Sequence, residues 1–310
     1  MNEPIIPKLF RERYNKLAPN PKQFFRTIQE PLKPAIRINT NKISCEEILL
    51  RLKKQGWQLK QVPFYENAFV IENAGDDKHI GLTVEHFMGY FYMQEVVSLL
   101  PAVILEPKKD ELILDMCAAP GSKTTQLSQM MSNTGLIVVN DNDFMRLKPL
   151  KYNVEKCGCL NVAITNVDGR VIKGAFDKIL LDAPCSSEGQ IRKDWKVLSR
   201  WSEEYIKSFS NLQKQLIKHA FEILKPNGTL VYSTCTFAPE ENEEVVSYLL
   251  EKFESAKLET INLKGFKTSE GMTEWQGKKF SPEVRKCIRV WPHQNDTGGF
   301  FVAKIRKNGN

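Results

Sequence analysis

A chain of 310 residues, 42% hydrophobic and 26% charged, can bury one sizeable core with room for a small second unit. It holds no apolar run of membrane-spanning length, its start (Met1-Asn2-Glu3-Pro4) lacks a signal-peptide core, and its seven cysteines form no Cys-x-x-Cys pair, which argues against a membrane protein, a disulfide framework or a zinc finger and for a reducing cytoplasm. The net charge of +7 is lopsided: residues 1–60 carry 13 Lys/Arg against 5 Asp/Glu, and with Phe10, Tyr14, Phe24, Phe25 and Trp57 interleaved they suit a polyanion such as nucleic acid.

In chain order, residues 5–30 read as two helical pieces broken at Pro19 and Pro21, and 35–39 alternates like a strand. Ser44 caps a helix with Glu46 and Glu47 in its first turn, and Gly56 ends it before strands over 57–62 and 68–71. These elements make a small α+β unit. Asn73-Ala74-Gly75-Asp76-Asp77-Lys78 is the boundary candidate, giving a basic RNA-binding domain over 1–78 and a larger domain over 79–310. From about Gly89 strands and helices alternate. An apolar helix at 95–105 is interrupted at Pro101; strands follow at 111–115, 135–140, 162–165, 176–181, 229–233 and 299–305. Helices are expected at 124–131, 143–156, 202–224 and 240–253, and 262–285 is the least regular part. The pattern is that of an α/β, doubly wound sheet.

The turn after the strand at 111–115 is Met116-Cys117-Ala118-Ala119-Pro120-Gly121-Ser122-Lys123. It is not a P-loop, because Ser122 separates Gly121 from Lys123, and it is not a dinucleotide fingerprint, because Gly121 stands alone. A ligand with few or no phosphates, such as S-adenosylmethionine (SAM), suits it. Asp115, Asp141, Asp168 and Asp182 lie at or just beyond successive strand ends, and Asp141, 20 residues past Gly121, stands where a carboxylate accepts from ribose hydroxyls.

Cys185, in Asp182-Ala183-Pro184-Cys185-Ser186, and Cys235, in Ser233-Thr234-Cys235-Thr236, fall in polar loops at the same sheet edge. The other cysteines read as small buried hydrophobes, and Cys157-Gly158-Cys159 as a turn with no companion ligands, so no metal is expected. Two thiols, an Asp and a Lys beside such a loop suit methylation of cytosine at carbon 5. That carbon becomes nucleophilic only after a thiolate adds to carbon 6; a cation such as Lys123 favours the thiolate, and Asp182 is placed to hydrogen-bond ring nitrogen 3. The residues alone do not rank the two thiols.

With these motifs in hand, the chain resembles the Sun (Nol/Nop/Sun) family of RNA cytosine carbon-5 methyltransferases from about Phe24 to Ile305. The carriers are Asp-Met-Cys-Ala-Ala-Pro-Gly-Ser-Lys-Thr at 115–124, Asn140-Asp141 with Arg146, Asp168-Gly169-Arg170, the Pro-Cys and Thr-Cys segments, Arg37-Ile38-Asn39-Thr40, Gln94-Glu95 and Gly298-Gly299-Phe300-Phe301. The resemblance implies a Rossmann-like methyltransferase sheet behind an RNA-recognition-like N-terminal module. It implies SAM held by Cys117, Ala118, Ala119, Pro120, Gly121, Ser122, Lys123, Asp141, Arg146, Asp168 and Asp182. It also implies Cys235 as nucleophile and Cys185 as the thiol assisting product release. Transfer RNA is the expected substrate of a monomeric enzyme, with ribosomal RNA next. Two alternatives stay open: methylation of an exocyclic amine, whose enzymes carry an aromatic where this loop has Cys185, and a non-catalytic RNA-binding or ribosome-assembly protein.

Overall fold

The computed structural model describes residues 6–76 and 79–309. It opens with α1 (Lys8–Leu17) and α2 (Pro21–Thr27); Ala18 leaves the helix extended, and Asn20 accepts from Gln23 N to start α2 with Pro21 at its first position. The expected break at the prolines is there.

A four-stranded antiparallel sheet follows, from β1 (Ala35–Ile38), α3 (Cys45–Lys54), β2 (Trp57–Gln61), β3 (Ala68–Ala74) and β4 (Phe91–Met93), in the order β2-β3-β1-β4. Ser44 caps α3 by accepting from Glu47 N, as read from the sequence. Ile36, Ile38, Ile48, Leu52, Trp57, Ile71 and Phe91 form its core. The boundary expected at residue 78 lies outside the described residues, and the sheet continues past it, since β4 pairs with β1 (Ile36 opposite Met93). The helices α1 and α2 do not join this core. Phe10, Tyr14, Leu17, Phe24, Phe25 and Ile28 instead cluster with Ile191, Leu198, Phe237 and Trp291.

The large sheet has five parallel strands, β5 (Leu112–Asp115), β6 (Leu136–Asn140), β7 (Val162–Thr165), β8 (Phe176–Asp182) and β9 (Leu224–Thr234). Antiparallel additions β10 (Ala256–Glu259), β11 (Ile288–Val290) and β12 (Phe300–Lys307) extend the order to β11-β12-β9-β8-β5-β6-β7, with β10 also on β12 and the two-residue strand Ser269–Glu270 on the outer edge of β11. Neighbouring residues alternate between two cores. Ile113, Leu180 and Val231 face α4 (Leu100–Leu105), α5 (Ser122–Met130) and α6 (Phe144–Cys157). Leu114, Leu181 and Tyr232 face α7 (Glu203–Glu222) and α8 (Glu243–Lys252). A parallel sheet buried on both faces reads as the continuous apolar runs seen here. The chain leaves β5 toward β7 and returns to β8 on the other side, so the crevice at the carboxyl ends of β5 and β8 is the switch point where ligands bind in such sheets. Among the described residues no helix is long and apolar enough to cross a membrane.

Arg37 joins the two sheets. Fully buried in β1, it donates to Gln94 Oε1 at 2.5 Å, Ser122 O at 2.7 Å and Thr125 Oγ1 at 2.7 Å, so the small module grips the first turn of α5. Asn39 adds bonds of 2.8 Å to the carbonyls of Gly89 and Cys157. Replacing Arg37 with Leu removes three buried hydrogen bonds, leaves Gln94 Oε1 without its donor and is expected to lower unfolding free energy by about 3 kcal/mol. Urea denaturation followed by circular dichroism reads it; a loss under about 1 kcal/mol contradicts the role given to this side chain.

Candidate active site

The turn between β5 and α5 is wired to its neighbours by backbone: Met116 N donates to Leu180 O at 3.0 Å and Ala118 N to Asn140 O at 2.8 Å. Gly121 holds φ +99°, and a Cβ there would lie 2.8 Å from Leu150 Cδ1, so the turn needs a glycine. Asp141, at the end of β6, accepts from Ala119 N at 3.2 Å and pairs with Arg146 at 3.1 Å, while Arg146 Nη2 donates to Ala119 O at 2.8 Å. These two side chains clamp Ala119 from both of its backbone groups.

Below the clamp is a pocket walled by Met116, Asp141, Arg146, Asp168, Leu212 and Leu216. Gly169 keeps it open, since a Cβ there would lie 2.9 Å from Leu216 Cδ2 and 3.2 Å from Met116 Cγ. Asp168 pairs with Arg170 at 2.5 Å on the rim, and that guanidinium's hydrogen bonds pull its carboxyl down to about 2. Burial pushes Asp115 up to about 7; its Oδ2 accepts from Thr124 at 2.7 Å, and its buried Oδ1 has no partner. Burial likewise drives the Cys117 thiol far up, which makes it unreactive.

The thiols meet because β8 and β9 are parallel neighbours with Asp182 opposite Ser233. Cys185 Sγ and Cys235 Sγ are 3.2 Å apart. Two thiolates at that distance repel, so one sulfur keeps a proton and donates it to the other. The hydrogen bond from Cys185 holds Cys235 below an ordinary thiol despite its burial. The same bond, with burial, pushes Cys185 well up. The structure thus brings the two cysteines together and makes them unequal.

Lys123 Nζ lies 2.6 Å from Asp182 Oδ2 and 3.2 Å from Ser98 Oγ. Burial works against its charge, but Asp182 outweighs that and holds the ammonium above the ordinary lysine range. The sequence reading placed Lys123 beside a thiolate; in the structure its ion-pair partner is Asp182, and it also faces Cys235. Among the described residues no group of three or more His, Cys, Asp or Glu side chains is placed to hold a metal.

The family described as 16S rRNA methyltransferase RsmB/F matches residues 102–306, and the N-terminal domain of 16S rRNA methyltransferase RsmF matches residues 6–96. A tRNA (cytosine(49)-C(5))-methyltransferase of Pyrococcus abyssi is 46% identical over 97% of this chain and 96% of its own length. Ribosomal RNA small subunit methyltransferase F of Vibrio atlanticus is 41% identical over 97% of this chain, which spans only 64% of that relative. A methyltransferase homolog from Pyrococcus horikoshii has the same fold, with TM-score 0.85 at 37% identity over 97% of this chain and 95% of that one. NSun6 from Pyrococcus horikoshii, solved with SFG, gives TM-score 0.84 at 26% identity over 98% of this chain and 99% of its own. The chain belongs to the RsmB/F (Sun) family.

This family member also uses residues that sequence reasoning missed. Asn242 accepts from Thr234 Oγ1 at 2.6 Å and donates to Thr236 O at 3.1 Å, bracketing Cys235 on both sides. Glu241 Oε2 accepts from Ser186 N at 3.0 Å and Gln213 Nε2 at 2.9 Å, and burial pushes its carboxyl up to about 8. Both lie in Pro239-Glu240-Glu241-Asn242-Glu243, which reads as the solvated acidic start of a helix. The signal is the excess: three glutamates in five residues outrun what a helix start needs. For the thiol pair, iodoacetamide followed by peptide mass spectrometry is expected to modify Cys235 with a midpoint below the ordinary thiol value of about 8.5. Cys185→Ala removes the donor and moves that midpoint up; an unmoved midpoint contradicts the assignment of the proton.

Proposed function

We propose that this protein methylates carbon 5 of cytosine in transfer RNA, using SAM and a covalent bond from Cys235 to the base. The observation that carries the chemistry is the thiol pair, 3.2 Å between sulfurs, with one partner held toward thiolate and the other toward thiol. Transfer RNA is supported by the tRNA-modifying relative, whose similarity runs over nearly the full length of both chains. The lining of the pocket supports a nucleoside in this reading, with Met116, Leu212 and Leu216 as apolar walls for adenine, Asp141 and Arg146 at its polar end, and no side chain on Gly169. In this reading Cys117 through Lys123 wrap the cofactor, with Asp168 and Asp182 on its flanks. Bound SAM supplies an electrophilic methyl group.

The chain's own residues do the rest. Cys235 Sγ bonds to carbon 6, and the C5–C6 electron pair moves to carbon 5, which takes the methyl group. Asp182, held by Lys123 and by Ser233 Oγ at 2.7 Å, shares a proton with ring nitrogen 3 as the thiolate adds, which neutralises the charge that develops there, and the proton is given up again on elimination. The carbon-5 proton then passes to water acting as base, its bonding pair re-forms the C5–C6 double bond, and the C6–S bond breaks to return Cys235 as thiolate. Cys185, beside it, assists that release. The basic excess of residues 1–60 meets RNA phosphates, raising affinity without reading sequence. The target base must be unstacked to reach the thiols, which favours loops and junctions.

Incubation with SAM and bulk transfer RNA tests the reading. Cys235→Ala is expected to abolish both 5-methylcytosine and any gel-stable protein–RNA adduct. Cys185→Ala is expected to accumulate the adduct. Methylation by Cys235→Ala would remove the covalent role. Modification of ribosomal RNA alone would keep the chemistry and overturn the substrate.

A further inference from the structure

One buried carboxylate beneath the nucleophile loop has no part in the steps above. Glu188 lies in the short turn Glu188–Gln190 after Cys185 and is fully buried. Its Oε2 accepts from Tyr14 Oη at 2.5 Å, Thr236 Oγ1 at 2.7 Å and Phe237 N at 3.1 Å; its Oε1 accepts from Trp201 Nε1 at 2.5 Å. Four donors converge on two oxygens, which is the capacity of an ionised carboxylate and more than a protonated acid or an amide can accept. Of the ionisable groups around it, Arg13 and Tyr14 come from α1, with Arg13 also bonded to Glu240 at 2.5 Å, and Glu241 comes from beyond the loop.

Two of the four donors, Thr236 and Phe237, directly follow Cys235. The turn holds the loop from the other direction as well: Gly189 N donates to Cys235 O at 2.8 Å, and Gly299 N to Gly189 O at 3.0 Å. A Cβ on Gly189 would lie 2.1 Å from Gly299 O, so turn and loop are in backbone contact. Ser187 and Gln190 flank this contact, and the Ser187 hydroxyl lies 4.0 Å from Cys185 Sγ and donates to Cys185 O at 3.2 Å. Ser187 adopts a left-handed φ of +62°, a conformation that the surrounding bonds must hold for a residue with a side chain. The remaining two donors reach in from elsewhere, Trp201 and, 174 positions away in sequence, Tyr14.

We infer that Glu188 is a positioning residue for the Cys235 nucleophile and that Tyr14 fixes it from α1, so that the buried face of the first helix serves the chemistry. The inference rests on the covalent reading above. Charged and titratable groups facing Cys235 itself are Cys185, Asp182 and Lys123, and none of them is altered by the variants that follow.

The test uses the full chain with Glu188→Gln and Tyr14→Phe, and reads three quantities. These are the pH profile of Cys235 alkylation without RNA or cofactor, the Kd for transfer RNA, and kcat. In Glu188→Gln an amide N–H group faces a donor. The alkylation midpoint is expected to rise, with alkylation at neutral pH slower by about tenfold, the equivalent of one lost charge-assisted hydrogen bond. Tyr14→Phe, which removes one donor and keeps the ring, is expected to shift the profile the same way by about threefold. In both, kcat falls and Kd for RNA stays within about twofold of wild type. Should Glu188→Gln fail to fold, Tyr14→Phe alone decides the matter. Profiles that overlay wild type in the folded variants overturn the inference. So does a Tyr14→Phe variant that weakens RNA binding and leaves alkylation alone. If wild type forms no RNA adduct while the alkylation shifts still appear, it is the covalent reading that has failed, and the positioning of the thiol stands.

Discussion

Two sulfur atoms in contact cannot both carry a charge, and the rest of the site depends on which of them keeps the proton. The contact itself costs no special loop. It follows from the parallel register of two central strands, which delivers Cys185 and Cys235 to the same edge of the sheet. The inequality starts from the proton they share, since the hydrogen bond from Cys185 lowers Cys235, while Cys185 faces burial and the electrons of its neighbour. A sulfur held toward thiolate and one held toward thiol thus come from one pair of identical side chains.

The same logic of unequal surroundings governs the charged residues. Lys123 and Asp182 neutralise each other at the mouth of the site, leaving the carboxylate oriented by an ammonium and a hydroxyl. Arg37 is a contrasting case. It is buried with a carbonyl, an amide oxygen and a hydroxyl as its partners, and burial pulls its pKa down. A guanidinium spends its donors there in a fixed fan, so it specifies an angle between the small module and α5 as well as an attraction.

The parts of the site nearest in sequence were the most legible. The turn at 116–121, Asp141 at its spacing from Gly121, and the two strand-end cysteines all announce themselves by a change from apolar run to small or polar residues. The doubly wound sheet was readable for the same reason. Three-residue strands such as Phe91–Met93 and Ile288–Val290 were not, because alternation over three positions does not stand out from chance. Partners were hidden more thoroughly than positions. Tyr14 lies on an amphipathic helix whose pattern says that one face is buried and nothing about what covers it. Its bond to Glu188 spans 174 residues, and no local rule reaches so far. Glu188 itself reads as an ordinary surface acid, since only a fold that brings four donors to it makes burial tolerable.

The strand β4 has a wider consequence. It completes the small sheet, yet it leads directly through Gln94 into the helical segment that packs under the cofactor loop. The small module is therefore stitched into the methyltransferase domain rather than tethered to it. Cutting the chain at the apparent linker near residue 78 would carry β4 away with the large domain and leave β1 with an unpaired edge, an invitation to aggregation. A change of RNA target within this architecture has to come by altering surfaces in place, because the module cannot be traded as a cassette without reopening the sheet.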